Sequence, residues 1–572
     1  MGKTDLAVPV IPISYGSTAG IETGKWSRLK PQTLTMVAPC QESCPIGTDI
    51  PLFLHFVERG LYAEALSTVL RENPFPGVCG RVCFHPCEAG CNRAQYDEAV
   101  SIQMLERFVS GIDAGPVRIV PAAQNAPRKI AIIGSGPAGL SCAYFLALLG
   151  HHPTVFEARS EPGGVMRWGI PRFRLPKMVL NKEIARILSL PVTLRADCRA
   201  GRDITFADLD RFDAVFLSPG AGVNSLLSIP GEKLTGVWNG GDFLRQVNAR
   251  KRVRLGRTTI VIGGGNTAMD VARAALRTGS NVTVVYRRTR EAMPAIPDEV
   301  REAEEEGIAF QFLLQPVKIH RVRGKKLKVT FQRMKLGAPD ESNRPRVEPV
   351  KGEYVTLQSD SVIGAVGEAV DVSWLPKELV NKGLIETGGN HRIFAGGDAV
   401  AQPRTIADAI TAGKKTAISM DLLFQGIRDR EAITRFMTGG KGSVSMEAYM
   451  RFREEGSWPE ARGVVSGRQI NTLYFEKSRR AKAGKLQRGR RRKTFSEVNL
   501  APDEAMALLS ASRCYSCGRC NACYNCFYFC PEGAIAIHRE QRTRTVDLLH
   551  CKGCGTCAKA CPRNAVEMKD LP

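Results

Sequence analysis

No uninterrupted apolar run in this 572-residue sequence approaches the ~20 residues that a membrane helix needs, so no membrane span is expected. Met1 to Lys30 lacks the charged-then-apolar layout of an export signal, which makes the cytoplasm the expected compartment. No fold signature for nucleic-acid binding is present, and none for thiamine, molybdenum, amidotransferase or haem chemistry. No tandem repeat stands out beyond one doubled cysteine motif near the end. Cysteine itself is unevenly spread. Residues 241–360 contain none, and only Cys142 and Cys198 fall between Cys91 and Cys514. The other sixteen of the eighteen cysteines lie in two groups, Cys40 to Cys91 and Cys514 to Cys561. Disulfide frameworks belong to small secreted chains, so two metal-binding ends around a different middle are expected.

Composition is that of a globular protein, 43% hydrophobic and 24% charged, and the length suggests several domains. The formal net charge of +23 raises nucleic acid as a partner, but thiolates and bound clusters offset part of it. Lys477 to Lys493 alone carries ten basic residues and no acidic one. It reads either as a solvated loop or as a docking strip for an acidic partner such as a ferredoxin or another subunit; nucleic acid is not expected.

Residues 1–39 read as an extended tail, and 40–125 as a helical cysteine domain with apolar residues at helical spacing over Ile50 to Glu72 and Ser101 to Ile112. From Arg128 strands alternate with helices, the pattern of a doubly wound parallel sheet. Two glycine fingerprints there predict two Rossmann-like nucleotide-binding domains, one (241–357) inserted in the other (126–240 and 358–425). Residues 426–500 read as a linker with the basic run, and 501–572 as a compact α+β cysteine module. The fold class is multidomain α/β.

In the first fingerprint an apolar strand runs into Gly134-Ser-Gly136-Pro137-Ala138-Gly139 and then a helix. Gly134 permits the turn, Gly136 the approach of a pyrophosphate, and Gly139 close helix–strand packing, with the helix N-terminus facing the phosphate. The next strand ends in Glu157, 23 residues after Gly134, placed to accept from an adenosine ribose. The second fingerprint is Gly263-Gly264-Gly265-Asn266-Thr267-Ala268, with Ala268 in place of the third glycine. Its second strand ends in Arg287-Arg288, whose guanidinium groups suit a 2′-phosphate, so NADPH is expected ahead of NADH, which stays open. The two sites together suggest FAD, then a nicotinamide. Gly396-Gly397-Asp398, followed by a helical stretch from Ala407 to Leu423, would bring Asp398 and a helix N-terminus to the flavin's ribityl and pyrophosphate portion.

The C-terminal module carries Cys520-x2-Cys523-x2-Cys526-x3-Cys530-Pro and Cys551-x2-Cys554-x2-Cys557-x3-Cys561-Pro. In this bacterial ferredoxin pattern the fourth cysteine of each run crosses to the other cluster. Cys520, Cys523, Cys526 and Cys561 therefore take one 4Fe–4S cluster, and Cys551, Cys554, Cys557 and Cys530 the second. Zinc competes for paired Cys-x-x-Cys spacings, but two complete copies with the trailing proline favour iron.

The middle of the chain, about residues 40 to 425, resembles the small subunit of bacterial glutamate synthase and its relatives. The likeness rests on Gly134 to Gly139, Glu157, Gly163-Gly164, Gly169-Ile-Pro-Arg-Phe-Arg174-Leu-Pro176, Tyr286-Arg-Arg and Gly396-Gly-Asp398. It implies FAD in the first site, NADPH in the second, hydride passing between them, and Gly163, Gly164 and Arg174 as cofactor neighbours. The N-terminal run Cys79-Gly-Arg-Val-Cys83 with Cys87-Glu-Ala-Gly-Cys91 also resembles dihydropyrimidine dehydrogenase. By that resemblance Cys44, Cys83 and Cys87 hold a cluster with Glu106 as fourth ligand, and a further cluster takes Cys40 and Cys91 with an upstream Cys-x-x-Cys. No cysteine precedes Cys40, and we expect Cys514 and Cys517 to supply the pair; otherwise these are free thiols and the clusters number three instead of four. Related thioredoxin reductases pass electrons to a Cys-x-x-Cys in the nucleotide domain, which residues 241–360 lack.

Nicotinamides move two electrons and iron–sulfur clusters one, so a flavin between them is functionally necessary. The reading is an electron-transfer flavoprotein subunit, an NAD(P)H:ferredoxin-type oxidoreductase serving a larger redox complex such as a 2-oxoacid:acceptor oxidoreductase. A glutamate synthase small subunit and a flavin-bearing scaffold that does not turn over are the alternatives. No catalytic acid or base is assigned, because hydride transfer between cofactors mainly needs positioning.

Overall fold

The computed structural model describes residues 21–570 apart from 113–120, 124–125, 323–325, 340–344, 388–391, 402–403, 430, 461 and 539–542; most of the expected tail lies outside these. Two parallel five-stranded sheets form its centre. The first has the order Ile393–Ala395, Ala214–Leu217, Lys129–Ile133, His152–Phe156, Thr193–Arg195. The second runs Ala309–Phe312, Asn281–Tyr286, Thr258–Ile262, Ser361–Gly364, Val237–Asn239. The strand Ile393–Ala395 returns to the first sheet after the whole second sheet has been made, so one unit is inserted in the other. A short ladder, Val223–Asn224 against Glu368–Ala369, ties the two crossing strands together.

Strands covered on both faces must be apolar throughout. Ile130, Ala131, Ile132, Ala214, Phe216 and Leu217 are accordingly fully buried. On the first sheet the helix Pro137–Leu148 packs against the long helix Ile406–Phe424. Gly413 makes that approach possible: a Cβ there would lie 2.3 Å from the Ala138 carbonyl oxygen.

Helices Ile50–Glu58, Tyr62–Leu70, Pro76–Val82 and Ile102–Gly111 build the N-terminal domain. Their apolar core also takes Ala507, Ala511 and Tyr515 from the helix Glu504–Ser512 and its exit. Residues 504–517 thus pack on the N-terminal domain, ahead of the ferredoxin-like module, where a boundary at 501 was expected. The expected linker is also structured in part. Phe436, Met446, Tyr449 and Phe452 join the core of the first nucleotide-binding unit. The strand Leu29–Thr33, within the expected tail, pairs antiparallel with the last strand, Val566–Asp570.

Candidate flavin, nicotinamide and iron–sulfur sites

At the first fingerprint Gly134 has φ +100°, and a Cβ on it would press on Ser218 O at 2.4 Å. A Cβ on Gly139 would sit 1.9 Å from Gly134 O. Gly136 is different: it caps the helix Pro137–Leu148 in an ordinary conformation with open space beside it. A helix N-terminus with open space beside its cap suits an approaching phosphate. Gly163 (φ +126°) and Gly164 lie on the same turn; a Cβ on Gly164 would approach Gly136 Cα to 2.7 Å. Glu157 is buried and accepts from Ser135 N (3.1 Å), the Ser135 hydroxyl and Arg159 N (2.9 Å). Ser135 is a positioning residue the sequence reading did not single out. A Cβ on Gly397 (φ +68°) would lie 3.1 Å from Ala138 Cβ, and Asp398 follows it half-buried. Burial pushes the Asp398 carboxyl up; Arg404 opposes the rise and Asp408 adds to it.

Arg174 is held by carboxylates of the inserted unit. Its guanidinium pairs with Asp270 and Glu299, each at 2.8 Å, and so clamps the flavin side to the inserted unit. Buried Asp270 and partly buried Glu299 thus hold the guanidinium that was expected beside a cofactor.

The second fingerprint repeats the geometry of the first. Gly263 has φ +147° and Gly265 caps the helix Asn266–Arg277 with open space beside it. A Cβ on Gly264 would run into the Tyr286 ring at 2.5 Å, and Ala268 is fully buried. The Asn266 side chain holds Ile296 N at 2.9 Å, and Thr267 is exposed. The arginine pair divides: Arg287 is exposed at the strand end, whereas Arg288 is buried with Nε donating to Pro345 O at 2.7 Å. Arg288 is thus held by the backbone of the inserted unit, and Arg287 is the member of the pair open to solvent.

The ferredoxin-like module has two pockets. One is lined by Cys520, Cys523, Cys526 and Cys561 with Ile537 and Arg544. The other is lined by Cys530, Cys551, Cys554 and Cys557 with Ile535 and Met568. The structure thus groups the thiols as the crossed spacing predicts.

In the N-terminal domain Cys44, Cys83, Cys87 and Glu106 are electrostatic neighbours. Cys83 ends the helix Pro76–Val82, and Glu106 lies on Ile102–Gly111. The two helices touch at Gly80, where a Cβ would lie 2.6 Å from Arg107 N. Burial pushes the Glu106 carboxyl up to about 8 and the Cys83 thiol up to about 12. Asn73 Nδ2 donates to Glu106 Oε1 at 2.8 Å. A largely buried set of three thiols and a carboxyl fits a bound iron cluster, whose iron charge would stabilise the deprotonated forms. Cys79 lies beside Glu106 and Cys83.

Cys40, Cys91, Cys514 and Cys517 also come together, although more than 400 residues separate Cys91 from Cys514. Asn92 Nδ2 donates to Cys517 Sγ at 3.5 Å, and Ser516 N to Cys514 Sγ at 3.3 Å. Arg93 Nη1 donates to Arg513 O at 2.8 Å, closing the junction. Among the described residues no three Cys, His, Asp or Glu side chains converge as tightly as a single ion requires. Cys142 is buried in the helix Pro137–Leu148, and Cys198 packs beside the first sheet. Neither joins a thiol set.

Residues 128–413 match the pyridine nucleotide-disulphide oxidoreductase family. Residues 34–114 match dihydropyrimidine dehydrogenase domain II with a 4Fe–4S cluster, and 519–565 a 4Fe–4S dicluster domain. The NADP(+)-dependent formate dehydrogenase subunit beta of Moorella thermoacetica is 36% identical over 85% of this chain and 71% of its own. The NADPH-Fe(3+) oxidoreductase subunit beta of Geobacter sulfurreducens is 33% identical over 84% of this chain and 75% of its own. The glutamate synthase [NADPH] small chain of Escherichia coli is 34% identical over 66% of this chain and 87% of its own.

Proposed function

The chain belongs to the pyridine nucleotide-disulphide oxidoreductase family, and from that premise we propose that it exchanges electrons between NADPH and a separate catalytic subunit. It is an NAD(P)H-dependent oxidoreductase of FAD and 4Fe–4S clusters. Bound flavin supplies the exchange between two-electron hydride and one-electron iron chemistry. The chain's own contribution is to hold the dinucleotides on paired glycine turns and to place thiolates around the flavin unit.

The observation that carries this reading is an exit by iron. The nicotinamide-binding unit has no cysteine between 241 and 360, so no dithiol there takes electrons as the family's name implies, while thiol sets lie on both chain ends. Related chains are beta subunits named for formate or Fe(3+) chemistry, and each covers more of this chain than the glutamate synthase relative does. We therefore favour a catalytic partner of that kind over a 2-oxoacid oxidoreductase, with the glutamate synthase role second. Thiolates on iron call for a reducing compartment, which we take to be the cytoplasm. Mixing the anaerobic protein with NADPH and a viologen dye tests the reading: dye reduction dependent on NADPH supports it, and no reduction by fully loaded protein leaves only a scaffold.

A further inference from the structure

The hairpin of Ile535–His538 and Thr543–Val546 contributes side chains to both pockets of the ferredoxin-like module. Residues directly opposite across an antiparallel ladder share a face. Ile535 opposes Val546 and Ile537 opposes Arg544, so one face carries all four. The three apolar members pack in the core of the module. Arg544 is the exception: a guanidinium only 8% exposed, lining the pocket of Cys520, Cys523, Cys526 and Cys561. Its Nη2 donates to Gln32 O (3.2 Å) and Ala565 O (3.5 Å), at the ladder between Leu29–Thr33 and Val566–Asp570. Its Nε is buried with no hydrogen-bond partner among the described residues. A buried donor on a cation costs free energy unless an acceptor or an anion meets it.

Arg563 repeats the pattern. It lines the same pocket, its Nε is likewise buried without a partner, and its guanidinium lies 5.2 Å from the centre of the Phe475 ring. The other pocket differs. Lys552 and Glu532 both line it and pair with each other at 2.5 Å, so their charges cancel. Two guanidiniums and no carboxylate thus line one thiol set, and a neutralised pair lines the other. A 4Fe–4S cluster on four thiolates is an anion, and more negative when reduced. A fixed cation beside it and N–H donors to its sulfurs favour the reduced form and raise its potential.

We propose that Arg544, aided by Arg563, is the counter-charge that makes the Cys520–Cys523–Cys526–Cys561 cluster the higher-potential member of the module's pair. The proposal rests on the ligand grouping given above. Arg544 acts by charge and hydrogen bonding and takes no part in ligation. An electron in the module then rests on the cluster whose Cys520 follows Cys517 by three residues, and the Cys551 set holds it less firmly.

The test is an anaerobic potentiometric titration followed by electron paramagnetic resonance, with iron analysis, on the full chain carrying R544M, R544K, R563M or C554A. R544M removes the charge and keeps an unbranched apolar stem. It is expected to move one cluster to a more negative potential by about 59 mV, a tenfold change in a one-electron equilibrium. R544K keeps a cation and moves that signal less, and R563M moves the same signal in the same direction. C554A is expected to lose about four irons and to keep the signal that R544M shifts. If R544M does not fold, R563M decides. Unchanged potentials in the iron-replete variant, or equal shifts in R544M and R544K, overturn the proposal. It also fails if the signal that R544M shifts is the one C554A removes. Full iron retention in C554A overturns the ligand grouping beneath it.

Discussion

Gly139 shows how a single hydrogen atom decides a cofactor site. With a methyl in its place the Gly134 carbonyl would have to move from 1.9 Å, and that carbonyl belongs to the phosphate turn. Gly139→Ala is expected to lose bound FAD and about 1–3 kcal/mol of stability, as overpacking does; flavin absorbance after gel filtration and a denaturant titration check both. Arg287 is the exposed member of its pair, so Arg287→Ala should weaken NADPH by about 1.5–3 kcal/mol, the worth of a hydrogen bond to a charged group, and leave NADH unchanged. Comparing KM for the two nucleotides checks this. Equal effects on both would remove the 2′-phosphate role. Lys177 donates to the Met166 and Ile170 carbonyls at 2.9 and 2.7 Å. Burial, with Arg167 and Arg172 nearby, lowers its ammonium to about 7. The unfolded chain holds that proton up to about pH 10, so it binds more protons than the folded chain between the two values, and stability rises with pH across that window. Lys177→Met should flatten the rise, as read by denaturant midpoints from pH 7 upward.

At the scale of elements, the helix pair Pro76–Val82 and Ile102–Gly111 touches backbone to backbone at Gly80. Gly80→Val is expected to part Cys83 from Glu106 and to remove one cluster, about four irons, while FAD is retained; iron and flavin analyses of one sample check it. Local pattern announced much of this. Apolar strands running into glycine turns marked both Rossmann units, and crossed Cys-x-x-Cys runs marked the ferredoxin pockets, because each is written within a few dozen consecutive residues. Partners chosen at long range were not written anywhere. Arg174 looked like a site residue from its motif, yet two carboxylates on the inserted unit hold it. Likewise Arg288 is spent on the Pro345 carbonyl, and Leu29–Thr33 finds an edge more than 500 residues away. No periodicity in a single strand or helix carries such choices.

For the whole molecule, the two cysteine-bearing regions meet, and residues 29–33 pair with 566–570. The Cys514–Cys517 segment packs into the N-terminal core beside Cys40 and Cys91. The strand Leu29–Thr33 closes the ferredoxin-like module, and Arg519 pairs with Asp49 across the same junction. Part of the basic run serves this closure as well. Arg480 pairs with Glu88, Lys485 with Glu302 and Arg491 with Glu305, so the run staples the N-terminal domain to the nicotinamide unit. Arg479, Lys482, Arg488, Arg490, Arg492 and Lys493 remain exposed. One thiol set in the N-terminal core is thus built from residues far apart in the sequence, Cys40 and Cys91 with Cys514 and Cys517. Iron and acid-labile sulfide analysis of the anaerobically purified chain, beside a Cys514→Ser/Cys517→Ser variant, tests that arrangement most directly. About sixteen irons per chain, falling to about twelve in the variant, are expected for four 4Fe–4S clusters. About twelve in both would contradict it.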